Sequence, residues 1–108
     1  MTMQSNSDCI FACKAPVWLW RSAAKPEAAG WYFATIDAQT AAEIKYAMLG
    51  MSRAFGSVKV TATVGKTCWA TSLFPHKESG GFILPLKASV RKAEGIGDGD
   101  LISVVLEF

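Results

Sequence analysis

The chain contains few of the residues that most metal and acid–base centres require, with one histidine and three cysteines in 108 residues. A structural zinc site takes about four ligands, commonly in closely paired Cys-x-x-Cys or His-x-x-x-His spacings. No such pair occurs in this sequence. We therefore expect no metal centre and no cofactor, and we interpret His76, the single histidine, as an exposed loop residue.

Long apolar runs and a strong excess of charge are also missing. No apolar run approaches the roughly 18–20 residues of a membrane-spanning helix, and the polar start lacks the features of a signal peptide. The net charge of +2 is far from the basicity typical of nucleic-acid-binding domains. We expect a cytoplasmic monomer or weak dimer without membrane contact, in which residues 1–8 are a disordered N-terminal tail and residues 9–108 a single domain.

Apolar residues are abundant, at 51% of the chain, and they include four tryptophans and six phenylalanines. This composition is typical of a globular protein rather than a disordered one. Aromatic side chains bury the largest area per residue when they lie inside a domain. We therefore expect most of these aromatic residues to form a dense core.

The clearest local pattern is a β-hairpin over residues 58–74. Apolar residues alternate with polar ones from Val58 to Val64, which predicts a strand with one buried face. Gly65 and Lys66 suit a two-residue turn with glycine in its first central position. The resulting register places Lys59 opposite Ser72 on the outer face of the hairpin.

The remaining patterns predict four further strands and two short helices. The strands are expected at residues 10–20, 31–36, 81–84 and 101–108, and the helices at residues 37–49 and 86–94. Residues 76–81 are expected to form a loop. The order ββαβββαβ predicts a mainly β fold, a closed six-stranded β-barrel of the double-split or swapped-hairpin kind with two short α-helices, because closure protects strand edges.

A polar and basic cluster is the strongest candidate for a ligand site. Lys59 and Ser72 lie side by side on the hairpin, while Lys87 and Arg91 are four residues apart on the second helix. Arginine offers a bidentate fork to phosphate or carboxylate, and lysine offers a point charge. We predict a non-enzymatic binding module that holds a small anionic ligand or a protein partner at these residues; the alternative is an ordinary solvated surface.

Several motifs of the chain resemble one bacterial family. They are Gly-Ser-Val-Lys-Val-Thr-Ala-Thr-Val-Gly, Trp-Ala-Thr-Ser-Leu-Phe-Pro, Leu-Pro-Leu-Lys-Ala-Ser-Val-Arg-Lys-Ala-Glu-Gly-Ile and the later Gly-Asp pair at residues 99–100. Together they resemble the domain-of-unknown-function family number nineteen-hundred-five over roughly residues 10–107. The resemblance implies a compact six-stranded barrel with two helices and implies no established activity.

A weaker resemblance leaves other functions open. Leu84-Pro85, a short helix, Gly95-Ile96 and Gly99-Asp100 are similar to the half-barrel of AbrB-type swapped-hairpin transcription factors, here with both halves in one chain. This resemblance implies nucleic-acid binding as an alternative function, although fold alone does not determine function. A second alternative is a small enzyme that uses Ser72 with Lys59, or Cys68, as its nucleophile.

Overall fold

The computed structural model describes residues 10–25, 30–47 and 57–108, which form a closed antiparallel barrel of six strands with two helices. The strands are β1 (Ile10–Trp20), β2 (Trp31–Ile36), β3 (Val58–Val64), β4 (Thr67–His76), β5 (Gly81–Pro85) and β6 (Leu101–Glu107), and the helices are α1 (Ala38–Ala47) and α2 (Ala88–Glu94). The predicted barrel and the predicted order ββαβββαβ are confirmed. The predicted tail at residues 1–8 and the predicted end of α1 near residue 49 lie outside the described residues.

The barrel consists of two topologically equivalent halves. The strand order around it is β1-β2-β5-β4-β3-β6. This cyclic order is unchanged when β1 is exchanged with β4, β2 with β5 and β3 with β6. The first half (β1, β2, α1, β3) and the second half (β4, β5, α2, β6) therefore repeat one ββαβ arrangement within a single chain.

The β3–β4 hairpin has the predicted register. Lys59 is paired with Ser72, and Ala62 is paired with Trp69. Gly65 has φ +60°, the left-handed conformation that a side chain disfavours, as the first central position of this turn requires. Because side chains alternate along a strand, burial of Val60 and Ala62 directs Lys59 to the outer surface.

Strand β1 pairs with two neighbouring strands, and its pairing partner changes after Pro16. Residues up to Pro16 pair with β6, whereas residues from Val17 onward pair with β2. Beyond Pro16, the other edge of β1 is covered by the 97–100 loop: the Val17 amide donates to the Asp100 carbonyl at 2.7 Å, and the Gly99 amide donates to the Val17 carbonyl at 2.8 Å. These bonds satisfy backbone groups that an open strand edge would leave unpaired.

The core inside the barrel is mainly aliphatic. Its largest fully buried side chains are Phe82, Ile36, Ile44, Leu73, Leu84, Leu106, Val90 and Val104. Because β2 and β5 are antiparallel, the helices that follow them lie at opposite ends of the barrel. Ile44 of α1 and Val90 of α2 point into the core, so each helix covers one end. Within the described residues, no polar or charged side chain is buried.

Several predicted boundaries differ from the structure by one or two residues: β4 ends at His76, β5 at Pro85 and β6 at Glu107, and α2 begins at Ala88. His76 pairs with Gly81 across β4 and β5, so the turn between these strands is residues 77–80 rather than 76–81. Helix α2 begins at Ala88, two residues later than predicted, because the Leu86 amide donates to the Tyr32 carbonyl at 2.9 Å. This bond continues the β2–β5 pairing past Pro85 and holds Leu86 outside the helix.

Candidate functional site

Two adjacent grooves lie on the outer wall of the barrel and share one side chain, Trp31. The first, here the Lys59 groove, has a volume of about 760 Å³ and is lined by Trp31, Lys59, Val60, Thr61, Ala70, Thr71, Ser72, Phe74, Pro85, Glu107 and Phe108. The second, here the tryptophan groove, has a volume of about 690 Å³ and is lined by Trp18, Trp20, Trp31, Phe33, His76, Lys77, Glu78 and Ile83. Both volumes lie in the range of small-molecule sites, roughly 300–1,000 Å³.

The Lys59 groove combines one cation with hydroxyl groups and apolar walls. The outward positions of β3 and β4 place Lys59 beside Ser72 in register. Phe74 supplies an apolar wall and is 42% exposed, so it is accessible to a ligand. Glu107 of β6 also lines the groove, and its carboxylate opposes the positive charge of Lys59.

The structure brings two of the four predicted site residues together and places the other two on α2. Lys59 and Ser72 line one groove, whereas Lys87 and Arg91 are not among the described residues that line it. Lys87 is exposed at the start of α2, where its carbonyl accepts the amides of the first turn. Among these four residues, only Lys59 and Ser72 are therefore placed for contact with the same small ligand.

Arg91 is engaged in contacts that fix α2 to the barrel. Its guanidinium carbon lies 3.9 Å from the centroid of the Tyr32 ring, within the range of a cation–π interaction. Its Nε donates to the Leu86 carbonyl at 3.2 Å. These contacts hold Arg91 half-buried against β2.

The tryptophan groove is formed by two neighbouring cross-strand pairs of aromatic residues. Trp18 is paired with Phe33, and Trp20 is paired with Trp31, on the outer face of β1 and β2. Trp18 is fixed because its indole N–H donates to Thr35 Oγ1 at 2.8 Å. Its ring centroid lies 5.2 Å from that of Phe33 and 5.7 Å from that of His76.

The expectation that most aromatic residues form the core is wrong, since Trp69 and Phe82 are the only buried ones among the aromatic residues that the structure describes. Trp69 is buried, but Trp20 is 47% exposed and Trp31 is 61% exposed. The inner positions next to these outer residues are occupied by smaller side chains such as Val17 and Ala34. The spacing of the aromatic residues by two along β1 and β2 indicated that they share a face. It could not show which face, because the alternate residues are apolar as well.

His76 is not the exposed loop residue that the sequence suggested. It lies at the end of β4, its side chain is 22% exposed, and its Nδ1 is 2.9 Å from Ser79 Oγ. Cys68 and Ser72 lie on the same strand, eight and four residues before it. At about 3.3 Å per residue these separations are roughly 26 and 13 Å, which excludes a direct Cys68–His76 or Ser72–His76 catalytic pair.

Other site types find little support in the described part of the chain. Cys13 and Cys68 have free thiols; burial, and secondarily the charge of Asp37, raises the pKa of the Cys13 thiol, which disfavours the reactive thiolate there. Over residues 10–25, 30–47 and 57–108, no three His, Cys, Asp or Glu side chains are grouped so that they could hold a metal ion. Among the helices of these same residues, none has the length and apolar character needed to cross a membrane.

Comparison with known proteins identifies a family. Residues 14–106 match a family described as a domain of unknown function, DUF1905. No curated protein and no solved structure matches the chain. The matched segment begins within β1 and ends within β6, so it includes both grooves apart from Glu107 and Phe108. The chain therefore belongs to the DUF1905 family, as its Thr-Ser-Leu-Phe-Pro and Leu-Pro-Leu-Lys segments predicted.

Proposed function

We propose that this protein is a non-enzymatic binding module that holds a small anionic ligand in the Lys59 groove. The observation that supports the proposal most directly is the pairing of Lys59 with Ser72 at a groove of about 760 Å³. A lysine ammonium and a serine hydroxyl both donate hydrogen bonds to phosphate or carboxylate oxygens. The neighbouring Phe74 and Pro85 side chains supply an apolar surface for the rest of the ligand.

In this proposal Lys87 and Arg91 contribute indirectly, from helix α2 and its first residues. Lys87 lies two residues after Pro85, a residue of the groove wall, and its exposed side chain adds positive charge to this side of the barrel without lining the groove. Arg91 holds α2 on Tyr32 and thereby positions the segment that contains Lys87. Replacement of Arg91 by alanine is therefore expected to weaken anion binding, and unchanged affinity in that variant would remove α2 from the site.

The alternatives of the sequence analysis differ from this proposal in what they predict. Binding of nucleic acid through many phosphate contacts falls steeply as salt is raised, whereas a single Lys59 contact gives a shallow dependence. An enzyme that uses Ser72 with Lys59 would consume its ligand, and a protein partner would bind over a wider surface than one groove. The cytoplasmic location and the monomeric or weakly dimeric state remain predictions.

A ligand panel tests the proposal. Inorganic phosphate, sugar phosphates and small carboxylates are screened by thermal shift, and positive compounds are titrated by calorimetry. A ligand at about 100 times its dissociation constant stabilises the fold by about 2.7 kcal/mol, which raises the melting temperature by several degrees. Since a charged hydrogen bond contributes about 1.5–3 kcal/mol, we expect Lys59→Ala to weaken binding roughly tenfold or more.

Matched variants make this test specific for the groove. Lys14 is exposed on β1, opposite Ser103 and outside both grooves, so Lys14→Ala removes the same charge elsewhere and is expected to leave affinity unchanged. Glu107→Gln removes the carboxylate that opposes the anion and is expected to tighten binding. Equal effects of Lys59→Ala and Lys14→Ala would show that the anion is not held in this groove.

A further inference from the structure

The tryptophan groove is suited to a planar ligand, because several accessible aromatic side chains line it and can stack on a ring. Trp20 and Trp31 form a cross-strand pair with 47% and 61% of their surfaces exposed. Trp18 is oriented at the floor of the groove by the hydrogen bond from its indole N–H to Thr35. Stacking of a nucleobase on an aromatic side chain contributes about 1–3 kcal/mol and occurs with every base.

Polar groups at one side of the same groove can recognise the edge of such a ring. The Nδ1 atom of His76 is near Ser79 Oγ, while its Nε2 atom lies 3.7 Å from Glu78 Oε1. The glutamate carboxylate accepts hydrogen bonds, and an imidazole nitrogen can donate or accept one. A hydrocarbon ring has no partner for these groups, whereas a heteroaromatic ring presents N–H donors and nitrogen acceptors at its edge.

Trp31 joins the two grooves, so a single ligand can occupy both. The strands between Trp31 and Lys59 are β2, β5, β4 and β3, which are spaced by about 4.8 Å. The two backbones are therefore separated by three strand steps, roughly 14 Å along the wall. Trp31 and Lys59 both line the Lys59 groove, so the groove spans this separation. A nucleotide has its ring and its phosphate at opposite ends of a ribose, which matches this division.

We propose that the ligand of this protein is a nucleotide, with its base in the tryptophan groove and its phosphate at Lys59 and Ser72. This inference rests on the proposed anion site. The nucleotide is either free or part of a short single-stranded segment of nucleic acid, since both present a base with an attached phosphate.

Calorimetric titration of four 5′-mononucleotides, their nucleosides and inorganic phosphate tests the inference. Each mononucleotide is expected to bind more tightly than both its nucleoside and phosphate. Trp31→Ala and Trp20→Ala are each expected to weaken nucleotide and nucleoside binding about tenfold, as the loss of one stacked ring does. Because Trp31 lines both grooves and Trp20 lines the tryptophan groove alone, it is the loss in Trp20→Ala that places the base there. Lys59→Ala is expected to weaken nucleotide binding and to leave nucleoside binding unchanged.

The control for Trp31→Ala is Tyr46→Ala, because Tyr46 is 77% exposed on α1 and lies outside both grooves. Unchanged melting temperatures of both variants without ligand establish that the barrel is intact. If Tyr46→Ala weakens binding as much as Trp31→Ala does, the base does not lie in the tryptophan groove.

The remaining outcomes separate this inference from the proposed function. If phosphate binds through Lys59 but nucleotides bind no better than phosphate, the anion site stands and the nucleotide assignment is overturned. If nucleotides bind through Trp31 but not through Lys59, the anion site and the bridging ligand are both overturned. Absence of binding by phosphate, nucleosides and nucleotides overturns both proposals.

Single-stranded oligonucleotides of four to eight residues distinguish the two sources. Much tighter binding than the mononucleotide, with an affinity that falls steeply with salt, assigns the site to nucleic acid. Affinity equal to that of the mononucleotide assigns it to free nucleotides. Either result identifies the source of the nucleotide, and the Trp20→Ala variant shows whether its base lies in the tryptophan groove.

Discussion

The two halves of the barrel have the same topology but present different side chains at equivalent outer positions. In the first half the cross-strand pairs are Trp20 with Trp31 and Trp18 with Phe33. In the second half the corresponding pairs are His76 with Gly81 and Phe74 with Ile83. The aromatic surface of the first half therefore meets a smaller and more polar surface in the second. The tryptophan groove lies across the boundary between the two halves, where β2 pairs with β5. The two halves therefore share a topology but not a surface.

The two halves also differ in the contacts that hold the ends of their helices. Helix α1 follows Asp37, whose Oδ2 accepts the Thr40 amide at 3.1 Å, a side-chain cap at the helix start. Helix α2 has no side-chain cap at its start and is held at its other end. There Gly95 adopts φ +65°, and the Glu94 carboxylate binds the β3–β4 turn. Three substitutions test these differences, in order of decreasing expected effect.

The largest effect is expected at Gly81, on the seam between the halves. A Cβ atom there would collide with the Ile36 carbonyl oxygen and lie 3.0 Å from the Asp37 carbonyl carbon, both of which are backbone atoms that cannot rotate away. We expect Gly81→Ala to lower the free energy of unfolding by about 3 kcal/mol or more, measured by urea denaturation. Gly97→Ala is the control, because a Cβ at Gly97 meets nothing within 4 Å. If Gly81→Ala lowers the free energy of unfolding no more than Gly97→Ala does, β5 is not packed this closely on β2.

A moderate effect is expected from the link between α2 and the hairpin turn. Glu94 Oε2 accepts hydrogen bonds from Thr67 Oγ1 at 2.5 Å and from the Lys66 amide at 3.2 Å. Glu94→Ala is expected to cost about 1.5 kcal/mol of unfolding free energy, as loss of hydrogen bonds to a charged group does. The equivalent change on the exposed face of α1, Glu43→Ala, is expected to cost less than about 0.5 kcal/mol.

A double-mutant cycle sharpens this comparison. If the carboxylate and the Thr67 hydroxyl interact directly, the effects of Glu94→Ala and Thr67→Val are not additive, and the coupling energy is at least about 0.5 kcal/mol. Additive effects would show that Glu94 stabilises α2 by some route other than the turn.

The smallest effect is expected at the cap of α1, and it depends on pH. Hydrogen bonds from the Thr40 side chain and backbone lower the pKa of the Asp37 carboxyl. A lowered pKa in the folded state means that the stabilisation is present above the unfolded pKa of about 3.9 and is lost as the pH falls through the folded value. We expect Asp37→Ala to cost about 1 kcal/mol at pH 7 and less once the pH has fallen through the folded pKa of Asp37.

Denaturant unfolding of wild type, Asp37→Ala and Asp37→Asn at several pH values measures this dependence. Asparagine caps helices about as well as aspartate but does not titrate, so Asp37→Asn is expected to stay close to wild type at pH 7. A gap between wild type and Asp37→Ala that is constant from pH 7 to pH 2 would show that the ionised carboxylate is not what caps α1.

The local elements of this fold could be predicted because they depend on neighbouring residues. Alternation from Val58 to Val64 and glycine at position 65 determine the hairpin and its register, which places Lys59 beside Ser72. Asp37 predicted the start of α1, and Gly95 predicted the end of α2. The part of the Lys59 groove that β3 and β4 supply could therefore be inferred from residues close together in the chain.

The sequence by itself determined the elements, their order and the family, since period-two patterns, turn glycines and capping side chains act over a few residues. Tertiary structure alone decided that Trp18, Trp20 and Trp31 lie outside, because both faces of β1 and β2 are apolar and the inner volume accepts only smaller side chains. It also decided that Arg91 stacks on Tyr32. These outcomes depend on strands far apart in the chain, which barrel closure brings together.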